Sequence, residues 1–210
     1  MNKKIVILTK SAKFGKLCVA GIDLDTGTWV RLVSTDEATH GALDPEDLQF
    51  ENGSCAKLLD VINVEILGND SNEAQPENVV INRGHYVDYL DSITIESAVS
   101  RFRGRKEDFI FGNTSYYVDE ESVKSLGRSL ELIEAENLEF KQLVNNAGQP
   151  KTKLEFKYNG NYYSNMSVTD PEFYDVEHGP RIDRAILVVS IGTPYNGRCY
   201  KFVSAIYPLE

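Results

Sequence analysis

Trp29 and Arg31 stand two residues apart in "GIDLDTGTWVRLVS", and Trp29 is the only tryptophan in the chain. On an extended strand, residues i and i+2 share a face, so an indole and a guanidinium placed this way can sandwich a nucleobase. The alternative is structural: Trp29 caps a core and Arg31 lies over it by its aliphatic stem. A second basic group is "RFRGRK", where Arg101, Arg103, Arg105 and Lys106 cluster as a predicted helix ends. Such a cluster can contact phosphates, and cations at that place also suit the helix dipole. A third pattern interleaves cations with aromatics at both ends of the chain: Lys10, Lys13, Phe14 and Lys16 first, then Tyr195, Arg198, Tyr200 and Lys201. It suits a groove for a single nucleic-acid strand and equally an ordinary exposed strand.

Catalytic patterns are missing from the sequence. His40, His85 and His178 are far apart and show no zinc-ligand spacing. Cys18, Cys55 and Cys199 form no C-x-x-C pair and read as reduced thiols rather than a disulfide framework or a zinc site. Ser34, Asp36 and His40 are neighbours in sequence, but a triad is defined by geometry, and such clusters are common in polar loops. Asp44, Glu46 and Asp47 crowd another loop, where solvation is the ordinary role for carboxylates. There is no P-loop and no G-x-G-x-x-G. These residues imply no catalytic group, no metal and no cofactor.

The elements that must position the candidate residues are mostly strands. "KKIVILTK", "LCVAGIDL" and "WVRLVS" read as strands, with "SAKFGK" as a loop and "DTGT" as a turn. The polar segment after Ser34 wraps the surface, pinned by Leu43, Leu48 and Phe50. "LLDVINVEIL" and "VVIN" read as strands. "TIESAVSRFR" is a helix with Ile95, Ala98, Val99 and Phe102 on one face and Thr94 as N-cap. "DEESVKSLG" makes a short helix ended by Gly127. "SLELIEAENLEFKQL" is ambiguous between helix and strand, and strand is the reading adopted. Asn159-Gly160 between two strand-like runs predicts a type I′ hairpin. "RAILVVSIG" and "RCYKFVSAIY" complete the set. "KIVILTKSAKFGKLCVAGI" and "AILVVSIGTPYNGRCYKFVSAI" also echo each other loosely, which points to two related β units. Closely spaced strands and few helices predict a mostly β architecture of small barrels.

Composition bounds what such barrels can do. The 210 residues are 41% hydrophobic and 26% charged, enough for a sizeable core, and the net charge is −10. That balance argues against coating duplex DNA by bulk electrostatics. The charge is uneven. Residues 1–16 hold five lysines and no acid, whereas residues 17–80 hold thirteen acids against Arg31 and Lys57, a net of −11. No apolar run approaches the length of a membrane span or a signal-peptide core, so the expected place is the cytoplasm, with no membrane partner.

Taken together, "KIVILTKSAK…CVAGIDLDTGTWVRLVS", "VTDPEFYD" and "ILVVSIG-TPYNGRCYKFVSAI" resemble the dual OB-containing domain family of predicted bacterial conflict and defence systems. The resemblance covers essentially the whole chain. It implies two OB-like barrels in tandem and a role in binding nucleic acid or nucleotides, without named catalytic residues. The expectation is therefore a barrel with a long loop and a helix over 1–120 and a second barrel over 121–210, divided near residues 115–130. The expected function is a non-enzymatic binding module for single-stranded nucleic acid or a nucleotide. Its alternative is an acidic adapter for a protein partner, and the third reading is a metal-dependent hydrolase using the loop carboxylates. The ligand candidates are Trp29, Arg31, Lys10, Lys13, Arg101, Arg103, Arg105, Tyr200 and Lys201. Alternation puts Val30 and Leu32 inside the barrel, with Trp29 and Arg31 outside.

Overall fold

The apolar run that opens the chain forms β1 (Asn2–Lys13), which is longer than its hydrophobic stretch. The segment "SAK", expected in a loop, continues the strand because Ser11, Ala12 and Lys13 pair with Cys18, Leu17 and Lys16 of β2 (Lys16–Asp23). β2 pairs with β3 (Trp29–Val33), and β4 (Asp60–Asn69) and β5 (Asn78–Ile81) follow. β3 runs parallel to β5, β5 pairs antiparallel with β4, and β4 returns to β1. Five strands thereby close on themselves, and β6 (Asp88–Ser92) adds to the side of β4. The computed structural model describes the chain except residues 14, 103–106, 145–147, 175, 177–178 and 210.

The interior of this first barrel holds Ile5, Ile7, Val19, Val30, Leu32, Ile62, Val64 and Ile81. Leu43 and Leu48, from the polar segment between β3 and β4, are wholly buried in the same cluster, and Phe50 packs against it. The segment carries two short 3-10 turns rather than a full helix. After β6, α1 (Ile95–Phe102) begins as the sequence predicts: Thr94 Oγ1 accepts the Ser97 N–H at 3.2 Å.

The same strand order recurs in the second half. A short strand, β7 (Tyr117–Asp119), and one turn of helix, α2 (Glu120–Val123), lead into β8 (Leu130–Val144), β9 (Pro150–Tyr158), β10 (Asn161–Val168), β11 (Ile182–Ile191) and β12 (Arg198–Pro208). β8, β9 and β10 pair in succession, β10 runs parallel to β12, and β12 returns through β11 to β8. A five-stranded Greek-key closure of this order is that of the OB barrel, and the chain contains it twice. The two echoing segments occupy different places in it. One is the β1–β2 hairpin, the first pair of its barrel, and the other is β11–β12, the last pair. Their likeness is that of antiparallel hairpins and not of equivalent strands.

By contacts, the chain divides into Met1–Asn72 with Pro76–Phe102, and Glu73–Gln75 with Arg103–Glu210. This division lies upstream of residues 115–130, because Tyr117–Asp119 pairs with β12 and Ile110 and Phe111 belong to the second barrel's core. Among the described residues, no helix is long and apolar enough to cross a membrane. Cys18 and Cys55 are half-buried free thiols and Cys199 is a buried one.

The β9–β10 turn has the predicted form. Asn159 and Gly160 lie at φ of 49° and 78°, and Tyr158 faces Asn161 across the turn. Gly160→Val puts a β-branched side chain into the left-handed region. It is expected to lower stability by more than about 1 kcal/mol, read as a lower denaturation midpoint at unchanged slope.

Candidate functional site

β12 carries alternating roles. Arg198, Tyr200 and Phe202 point away from the barrel interior, whereas Cys199 and Val203 lie in the interior cluster and Lys201 is 1% exposed. The short strand β7 pairs with this stretch, placing Tyr117 directly opposite Tyr200 and Asp119 opposite Arg198. Tyr116 stacks on Tyr200 with ring centroids 6.1 Å apart and planes at 24°. Tyr117 meets Tyr116 edge to face at 5.3 Å and lies 6.4 Å from Tyr200. The Arg198 guanidinium sits 4.3 Å from the centre of the Tyr117 ring. Tyr195, in the β11–β12 loop, is 66% exposed and pairs through its backbone with Arg198. Three half-buried tyrosines and an exposed arginine thus form one face beside the loop that joins the fourth and fifth strands of the barrel. In OB barrels that loop is one of those that contact oligonucleotides and oligosaccharides.

A strand matched to the barrel face at one end and open at the other explains the arrangement. Inward positions must be apolar or internally satisfied, so the outward positions of the same strand are free to carry tyrosine and arginine. Aromatic rings offset or tilted at about 5–6 Å attract one another, and a guanidinium over a ring adds a cation–π contact. The cluster is therefore held together by contacts within the fold.

The other sequence-derived candidates fall elsewhere. Val30 and Leu32 do enter the first barrel's interior, as alternation requires. Trp29 is half-buried, but Arg31 is only 5% exposed, with Ala20 and Asn78 as its neighbours across the sheet. Arg31 is on the outer face yet not presented to solvent, so the pair is not an open platform. Lys10 donates to the Ala56 carbonyl, and its pKa is lowered by burial against the opposite pull of Cys55 and Asp60. Lys13 donates to the His40 carbonyl at 3.0 Å. Arg101 is exposed at the end of α1, its guanidinium 5.5 Å from the Phe102 ring. Arg103, Arg105, Lys106, Phe14 and His178 lie outside the described residues. Lys201, read as a ligand contact beside Tyr200, faces the opposite way.

Lysines at the basic start of the chain pair with the acidic segment that follows it. Lys3 pairs with Asp23, and Lys16 Nζ lies 2.9 Å from Asp44 and 3.8 Å from Asp36. Arg83 bonds Asp44 through Nη2 and Asp47 through Nε, both at 2.7 Å. Asp47 Oδ2 also accepts the Asp44 N–H at 2.8 Å. Lys16, beside Asp44, holds that carboxyl below its ordinary range. Asp44 and Asp47, the carboxylates that suggested hydrolysis, are thus engaged with cations that tether the polar segment to the barrel.

The sequence reading missed Tyr116 and Tyr117. Their signal is the adjacent aromatic pair in "NTSYYVDE", on a strand of only three residues, Tyr117–Asp119, too short to show a period of its own. The family model of the dual OB-containing domain matches residues 3–206. The chain belongs to the dual OB-containing domain family. In that family member the tyrosine–arginine face is carried by the second of the two barrels. No curated protein matches the chain.

Proposed function

We propose that this dual OB protein is a non-enzymatic binding module that takes single-stranded nucleic acid or a nucleotide on the face formed by Tyr116, Tyr117, Tyr200 and Arg198. The observation that carries this reading is the cluster itself: stacked and tilted tyrosine rings with a guanidinium over one of them, next to the β11–β12 loop of an OB barrel. Bases stack on such rings whatever their identity, and one arginine supplies a contact for a phosphate. The resemblance to a family of predicted bacterial defence systems supports a place in such a system, and a cytoplasmic location suits ligands of this kind.

The chain's charge shapes the expected binding. With a net charge of −10 there is little general attraction to a polyanion, so stacking must supply most of the affinity. Titration of short ssDNA, ssRNA and nucleotides at low salt, repeated as salt is raised, tests this. The expected slope of log K against log salt is shallow, about −1, because each phosphate contact on a single strand contributes about −0.7. A slope of about −4 or steeper places the ligand on a lysine-rich surface instead, and no binding at low salt rejects the reading.

The adapter reading draws on β6. All five of its residues are exposed, it ends the sheet, and Asp88, Asp91, Tyr89 and Leu90 line it. Chemical-shift changes confined to β6 on adding a basic peptide would favour a protein partner.

A further inference from the structure

Lys201 follows Tyr200 on β12 and points to the other side of the sheet. An ammonium group has three N–H bonds, and Lys201 Nζ has three oxygens in reach: Ile110 O at 2.7 Å, Asn113 O at 2.8 Å and Asn113 Oδ1 at 2.8 Å. The turn that supplies them is anchored by two further buried groups. Ile110 N–H donates to the Tyr163 hydroxyl at 3.0 Å, and Phe111 N–H donates to Glu131 Oε1 at 3.2 Å. Phe111 sits at φ 49°, a left-handed conformation that a phenylalanine adopts only when its surroundings impose it. Burial of Ile110 and Phe111 in the core and the five hydrogen bonds impose it here. The chain then runs from Asn113 straight to the ligand face, and the Lys201 backbone N–H donates to Tyr116 O at 2.9 Å. Lys201 therefore holds this segment at two points, by its side chain at the turn and by its main chain beside the tyrosines.

We propose that Lys201 is the positioning residue of the tyrosine–arginine face: its ammonium locks the turn at 110–113, and the locked turn sets Tyr116 and Tyr117 against Tyr200. This rests on the reading of that face as the ligand site. The lock requires the proton. A neutral amine has two N–H bonds and turns a lone pair toward the third oxygen, so deprotonation releases one anchor. Burial lowers the Lys201 pKa to about 7, with Glu131 opposing the shift. The groups facing Lys201 are Glu131 on β8, paired with Arg128 and pushed up by burial, and Tyr163 on β10, its ring centre 5.9 Å away and its hydroxyl pushed up by burial. Tyr158 on β9 packs edge-on against Tyr163. Burial thus brings the ammonium of Lys201 into the neutral range.

Two measurements on the full chain test the assignment. Amide hydrogen exchange of residues 110–117 without ligand, corrected for intrinsic rates, is expected to speed up as pH rises through about 7. In Lys201→Met the same amides are expected to exchange fast at every pH. Binding of a fluorescent oligothymidylate, whose phosphodiesters do not titrate in this range, is expected to weaken about fivefold from about pH 6 to about pH 8. In the variant it is expected to be weak and flat. Exchange in the unmutated chain that is flat across this range overturns the proposal, as does equal protection of these amides in the variant. If the exchange step is present and oligothymidylate binds at no pH, the positioning of the tyrosines stands and the ligand reading falls.

Discussion

Alanine at Tyr200 is expected to weaken binding of a short single strand about tenfold, and alanine at Tyr117 by a similar factor, while the fold survives. Loss of one stacked base costs about 1–3 kcal/mol, and about 1.4 kcal/mol is a factor of ten. Tyr200 lies at the centre of the cluster, touching both Tyr116 and Tyr117, so its removal also unseats its neighbours. For that reason the double replacement is expected to cost less than the sum of the single ones. Arg198→Ala removes the cation over Tyr117 and the phosphate contact together, so it should both weaken binding and flatten the salt dependence. Fluorescence anisotropy with labelled oligothymidylate reads these effects, and melting curves show whether the barrel is intact. Unchanged affinity in Tyr200→Ala with an unchanged melting temperature removes the face from the binding site.

Gly21→Ala is expected to be the most damaging single methyl in the first barrel. A Cβ built on Gly21 falls 1.9 Å from the carbonyl oxygen of Val6, 2.8 Å from its carbonyl carbon and 2.9 Å from Ile5 Cγ2. Two of those atoms are backbone of β1, so no side-chain rotation relieves the clash. β1 pairs with both β2 and β4, and displacing it opens the barrel closure as well as one ladder. Overpacking ordinarily costs about 1–3 kcal/mol, and a backbone clash at a closing strand places this one at about 3 or above. Equilibrium unfolding in urea gives the number. A loss below about 1 kcal/mol would mean that β1 and β2 do not approach so closely at Gly21. The glycine is required by the close approach of two backbones at a bulge, since the register shifts between Ile7 and Thr9.

Bulges also explain why one strand was hard to read. In β8 the inward residues are Ile133 and Ala135, then Leu138 and Phe140. The register shifts between Glu136 and Glu139, and Asn137 adopts φ 53° there. The step from Ala135 to Leu138 imitates helical spacing, so "SLELIEAENLEFKQL" mixes the two periodicities. The same slip occurs in β10 between Tyr163 and Met166, with Asn165 at φ 60°. By contrast "KKIVILTK" and the Asn159-Gly160 hairpin were legible, because a β-branched run and an Asn-Gly turn are local signals that need no partner.

The candidate site was legible only in part. Tyr195, Arg198 and Tyr200 stand close together in sequence and were singled out as cations among aromatics, whereas Tyr116 and Tyr117 join them across about 80 residues. Lys10 and Lys13 were singled out by charge alone, because a sequence shows charge without showing what the charge touches. In the folded chain they donate to the carbonyls of Ala56 and His40.

Local patterning by itself determined most of the long strands, the hairpin, the α1 cap and the side of β3 that Val30 and Leu32 take. Period-two alternation and turn chemistry act over a few residues and are written in order along the chain. Tertiary structure alone decided where the strands close, which lysines are spent on carbonyls and carboxylates, and which aromatics meet. A barrel brings together residues far apart in sequence. Whether a cation lies inside or outside depends on the parity of its strand and on what covers that face. Tyr200 and Lys201 are adjacent in sequence, and the pleat of β12 sends one to the tyrosine–arginine face and the other into the core.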